Sequence, residues 1–179
     1  MDLTPPDPSA ATPPVQRARV LLRAAADGLA AADARDEALA DYVGPRRVFL
    51  IPREPVMVPV GRVWRLGVLL LDADGGAYAT GSTTRAVDPG RRGYTSESAL
   101  ERAGYRAAAV RGRFREGETV NFGWRRLDLD EASLRAATGP LLLSDGVPVV
   151  RWGAGSATMD LGVYLADRVA LLVDPPAGA

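Results

Sequence analysis

The chain has 179 residues, with 22 basic and 22 acidic side chains and therefore a formal net charge of zero; hydrophobic residues make up 47% of it. This is the composition of an ordinary soluble globular protein with enough chain for one core, and the neutral balance argues against a protein devoted to nucleic acid or an anionic membrane. Cys, His and Lys are absent and every basic residue is Arg, which excludes disulfides, thiolate or imidazole catalysis, His- or Cys-ligated metals, Schiff bases and a P-loop lysine.

The all-Arg usage fits a GC-biased, bacterial genome. No run reaches the ~18 apolar residues of a membrane span. Residues 1–13 are polar and Pro-rich, without the basic start and apolar centre of a secretory signal, so a disordered tail and a cytoplasmic location are expected. A second disordered tail is expected at 175–179, leaving a single domain over 14–174.

From Val15 to about Tyr42 the sequence predicts helix. Val15, Leu22 and Leu29 recur at sevens beside a row of Ala18, Ala25, Ala32 and Leu39, an apolar stripe suited to packing on a sheet. Gly28 and Asp36 interrupt it, so one helix or two remain open. Gly44-Pro45 ends the helix. Arg46–Ile51 is a predicted strand, and Pro52, Pro55 and Pro59 assign the following piece to an edge or a crossing loop.

Residues 62–87 form the expected centre. Trp64–Leu71 is apolar on both alternating faces, which predicts a strand covered on both sides. Asp74-Gly75 predicts a two-residue hairpin. In that register Leu71 faces Tyr78 and Trp64 faces Arg85. Asp88-Pro89-Gly90 is a turn, and Ser98-x-x-Glu101 a capping box for a helix to about Ala107. Strands are predicted over 108–114 and 119–127, with a turn at 115–118. Asp130 is the predicted cap of a short helix, Glu131–Ala137. A hairpin follows at 141–152 around Asp145-Gly146, and a closing amphipathic helix spans Asp160–Val173. The fold class expected is α+β: one mostly antiparallel sheet of about six to eight strands, built from hairpins and covered by the long N-terminal and the C-terminal helices.

Four stretches resemble sites. The glycines at 153 and 155 stand between a strand and a helix, but a dinucleotide fingerprint needs a third glycine and a following parallel strand. Asp72 and Asp74 start like a calcium loop, yet Thr83 stands where its bidentate Glu belongs. Asp128, Asp130 and Glu131 offer paired carboxylates for hydrolysis, or simply a helix start. Residues 105–126 mix four aromatics with Arg, as a single-strand nucleic-acid surface would, but the alternation sends Arg and aromatics to opposite faces.

The best candidate is a pocket for a carboxylate or phosphate: Trp64, Thr83 and Arg85 on one sheet face, with Arg91, Arg92 and Tyr94 in the next loop. The function expected is a non-catalytic cytoplasmic module that binds a protein or a small anionic ligand, with no cofactor and no metal. A small carboxylate-dependent hydrolase is the alternative, and a single-stranded nucleic-acid binder the third.

Overall fold

The computed structural model describes residues 13–49, 51–90, 96–153, 155 and 157–176. Most of both expected tails lies outside them, although Pro13 is already the cap of the first helix. The fold is α+β, as expected, with helices flanking a large mostly antiparallel sheet.

Helix α1 spans Pro14–Ala31 and buries Ala18, Leu22, Ala26 and Leu29, one stripe at helical spacing. It stops earlier than the sequence predicts. Asp33 adopts a left-handed φ of 50°, Asp33 N–H donates to Ala30 O, and Ala34 N–H donates to Leu29 O. This is a Schellman ending with Asp where Gly is usual. The expected continuation to Tyr42 is therefore a correction: Glu37–Val43 is strand β1, with Ala38, Leu39 and Ala40 buried in turn on both faces.

Arg46–Val48 (β2) and Ile51–Arg53 (β3) pair as a small hairpin rather than one strand. Phe49 at its tip is 94% exposed. Strand β4, Val56–Leu66, follows and pairs along β1. Pro59 lies inside β4, not in a loop; the register shifts between Leu39 and Ala40, and the bulge accommodates the missing donor.

The predicted long strand over 64–71 breaks at Gly67-Val68. Gly67 has φ +62°, and the turn returns the chain as β5, Leu69–Leu71, with Leu66 opposite Leu69 and Trp64 opposite Leu71. Tyr164 clamps this turn: its phenol donates to Leu66 O at 2.8 Å and accepts from Val68 N at 3.0 Å. Strand β6 is Ala77–Ala79 and β7 is Ser82–Arg85. The Asp74-Gly75 hairpin is also corrected. Leu71 pairs with Ala77, not Tyr78, so five residues connect the strands. Asp72 Oδ1 accepts from both Asp74 N and Gly76 N, and only Gly75 of the pair has positive φ, whereas a type I′ turn needs both.

Helix α2 runs Glu97–Arg111, capped by Ser96 rather than Ser98. It absorbs the start of the predicted strand over 108–114, because Ala108 and Ala109 are good helix formers and pack against the sheet. Then come β8 (Thr119–Phe122), β9 (Arg125–Arg126), α3 (Glu131–Arg135, capped by Asp130), β10 (Leu141–Ser144), β11 (Val147–Arg151), β12 (Thr158–Asp160) and α4 (Leu161–Val173, capped by Asp160). The β10–β11 loop is the predicted one: Asp145 and Gly146 have φ of 50° and 76°. Thr158 starts β12.

The seven-stranded sheet has the order β7-β8-β1-β4-β5-β6-β9, with β1 and β8 parallel. Its two margins meet. Only Thr80-Gly81 separates β6 from β7, and only Gly123-Trp124 separates β8 from β9. The pairs Tyr78–Arg126 and Ser82–Phe122 belong to one continuous antiparallel register. The sheet thus closes through two kinked strands into a small barrel. Its interior holds Leu39 of β1, Val63 of β4, Leu70 of β5 and Tyr78 of β6 in one cluster, with Trp124 of the β8–β9 kink packed against it. Outside, α2 covers Ala38, Ala40, Met57, Val120 and Phe122. On another side α1 and α4 lie between the barrel wall and the β10-β11-β12 sheet, and their core joins Trp64, Leu66, Leu69 and Leu71 to Val150 and Leu141.

Candidate functional site

Two polar groupings stand where β1, β4 and β8 begin or end together. Inside the barrel mouth Asn121 is buried and fully engaged. Its Nδ2 donates to Glu37 Oε2 at 2.8 Å and to Ala38 O at 3.1 Å. Its Oδ1 accepts from Arg65 Nη2 at 2.5 Å and from Arg65 Nε at 3.2 Å. On the outer face Arg62 grips Asp36 with two nitrogens, at 2.6 and 3.0 Å, and also donates to Glu118. A cavity of about 330 Å³ opens beside them, lined further by Arg35 and Arg115. Both carboxylates sit below their ordinary pKa. For Asp36 the hydrogen bond from Arg62 is the main cause, opposed by partial burial. For Glu118 burial pulls upward and is outweighed by Arg62 and by the Arg115 N–H. These groups tie three strands together and leave little free for a ligand.

This pair of carboxylates predicts a pH dependence. A folded pKa below the unfolded one contributes stability above the unfolded value, near pH 4, and loses it as pH falls through the folded value. The pair is partly exposed, so its worth at neutral pH is about 1 kcal/mol or less. Arg62→Met should flatten the acid side of the stability profile below about pH 4.5. Wild-type and variant profiles that run parallel from pH 5 to 3 would contradict the assignment.

The cleft between β7 and α2 is different. It measures about 570 Å³ and is lined by Arg85, Thr83 and Thr84 of β7, by Arg102, Tyr105 and Arg106 of α2, and by Thr119. Arg102 and Arg106 stand one helical turn apart and so share a face. Among the described residues none forms a hydrogen bond or ion pair with the guanidinium of Arg85, Arg102 or Arg106. The Tyr105 ring is wedged against Tyr42 and Phe122, at 5.3 and 4.7 Å between centroids. Its hydroxyl donates to Glu101 at 2.9 Å, and that bond, with slight burial, raises its pKa. The phenol is therefore a wall of the cleft and not a free donor.

No protein family, curated protein or solved structure matches this chain.

Of the residues singled out in the sequence, Thr83 and Arg85 meet in this cleft. Trp64 does not. It is 7% exposed on the outer barrel wall beneath α1, and its Nε1 donates to Ala34 O at 2.9 Å. Arg85 pairs with Thr119 instead. The registers Ala38–Arg62, Ala38–Val120 and Thr84–Val120 put Trp64 and Arg85 on opposite faces of the sheet, which corrects the expected pairing. Arg91, Arg92 and Tyr94 lie outside the described residues. Arg102 and Arg106 were missed, although their spacing of four within a predicted helix was a readable signal.

Most of the other candidates have structural occupations, whereas Asp128 stands exposed. Asp130 accepts from Ser133 N and Ser133 Oγ, and Glu131 pairs with Arg135. Asp72 orders its own turn and accepts from Tyr78 OH at 2.7 Å. Burial, then that bond, push the Tyr78 phenol up to about 12. Arg111, expected on a strand, reaches from α2 to Pro55 O and Glu54. Among the described residues no three acidic side chains gather as a metal site requires, and no helix is long and apolar enough to cross a membrane.

Proposed function

We propose that this protein is a cytoplasmic binding module without chemistry of its own, and that its site is the β7–α2 cleft, which takes an anionic group. The observation that carries the reading is that three arginines, Arg85, Arg102 and Arg106, line one cleft, each without a hydrogen-bond or ion-pair partner for its guanidinium among the described residues. Guanidinium groups bind carboxylate and phosphate oxygens through paired, charge-assisted hydrogen bonds. Three of them on one concave surface repel one another, and an anion relieves that repulsion. Threonine hydroxyls at the rim add neutral donors. Of the three carboxylates a hydrolase would use, Asp130 and Glu131 are engaged in a helix cap and an ion pair, which leaves exposed Asp128 without a paired carboxylate and favours binding over catalysis.

The test is thermal unfolding and calorimetry with inorganic phosphate and citrate. A bound anion at 100 times its Kd adds about 2.7 kcal/mol of stability, or roughly 5–11 °C for a chain of this size. The shift should vanish in a triple variant, Arg85→Met, Arg102→Met, Arg106→Met. Equal responses of wild type and triple variant to both anions would refute the reading.

A further inference from the structure

The β7–α2 cleft has a second property, independent of its charge: it runs along a bare sheet edge. The β4–β5 hairpin ends at Gly67-Val68, and the contact of Thr80 N with Val68 O is the last along that margin. Beyond it, among the described residues, β7 pairs only with β8. Ala86 N–H donates to Glu118 O and Ala86 O accepts from Gly117 N. In an antiparallel ladder the alternation then turns the N–H and C=O of Ser82 and Thr84 toward β8, and those of Thr83 and Arg85 outward. Arg85 O is taken by Val87 N at 2.9 Å. Thr83 N–H, Thr83 O and Arg85 N–H are left pointing away from β8, a set that matches one side of an extended chain.

We propose that β7 accepts an acidic segment of another polypeptide as an added strand, its backbone pairing with Thr83 and Arg85 and its carboxylates meeting Arg85, Arg102 and Arg106. This rests on the anion reading above and names the class of partner. An Arg on an open edge discourages indiscriminate pairing; such an edge admits a strand that brings the opposite charge. The main-chain bonds hold any extended chain, and the guanidinium row selects among them.

A short capped peptide of alternating Val and Glu is the probe, measured by calorimetry and by amide exchange on the full chain. The peptide should bind, slow exchange at Thr83 and Arg85, and weaken at least about 10-fold on methylation of its alternate backbone nitrogens. Replacing its Glu by Lys, or using an Arg102→Gln, Arg106→Gln variant, should weaken it similarly while the melting temperature of the variant stays that of wild type. Peptide binding that survives backbone methylation, or leaves those two amides unprotected, overturns strand addition. Binding of phosphate or citrate without binding of the peptide overturns it too, and leaves the anion site standing. If neither binds, both readings fall. A single-stranded oligonucleotide that outcompetes the peptide would replace it as the occupant.

Discussion

Leu70→Ala is expected to lower the unfolding free energy by about 3 kcal/mol, and the melting temperature by about 6–12 °C. Leu70 is fully buried at the centre of the barrel layer, where Leu39, Val63 and Tyr78 each reach in from a different strand and Trp124 from the β8–β9 kink. Tyr78 and Trp124 meet edge to face at 5.2 Å. Both are held at their polar ends, Tyr78 by Asp72 and Trp124 by Ala40 O, so neither ring is free to swing into the space left behind. A cavity that cannot collapse incurs the cavity cost as well as the transfer cost. Leu100→Ala on α2 is the control. Leu100 is 51% exposed, and its loss should change stability by no more than about 0.5 kcal/mol. If Leu70→Ala moved the melting temperature no further than Leu100→Ala, the closed barrel would be wrong.

Gly81→Ala should be as damaging, by about 3 kcal/mol. Gly81 stands where β6 kinks into β7, directly across from the kink at Gly123. A Cβ there would lie 2.3 Å from the carbonyl oxygens of both Phe122 and Gly123. These are backbone atoms held in the ladder, so the strands must part to make room, at the point where the sheet closes on itself. The comparison is Gly104→Ala, in the middle of α2 with nothing within 4 Å of the added carbon. That change should stabilise, by up to about 1 kcal/mol, because Ala is the better helix former. Opposite signs for the same substitution are the measurement to make by chemical denaturation. A neutral Gly81→Ala would mean that the two strands stand further apart than described.

What the sequence determined by itself is what depends on near neighbours. The absence of His, Cys and Lys bounded the chemistry outright. Asp145-Gly146, flanked by Leu and Val, folds as the hairpin its chemistry demands, because both residues tolerate positive φ and nothing else competes for their backbone. Asp130 caps α3 through a side chain three residues from its target. The α+β class followed from hairpin spacing.

The tertiary structure decided the rest. Asp74-Gly75 looks like Asp145-Gly146, but the Asp72 carboxylate captures two backbone N–H groups and lengthens the loop; the further break at Gly67-Val68 leaves Trp64 on β4 and Arg85 on β7, two strands that do not pair, with the two side chains on opposite faces. Residues 37–43 continue a helical stripe, yet they become a barrel strand, since Ala38, Leu39 and Ala40 are buried on both faces only when β4 and β8 stand beside them. Closure of the barrel is a long-range event, in which residues near 80 meet residues near 123, and no local pattern announces it. For the candidate site, Thr83 and Arg85 were legible as a hydroxyl and a cation on one strand. Their companions Arg102 and Arg106 arrive from a helix, because the apolar side of α2 packs on Val120 and Phe122. Packing of that hidden face, and not any property of the arginines, brings Arg102 and Arg106 to the cleft that Thr83 and Arg85 line.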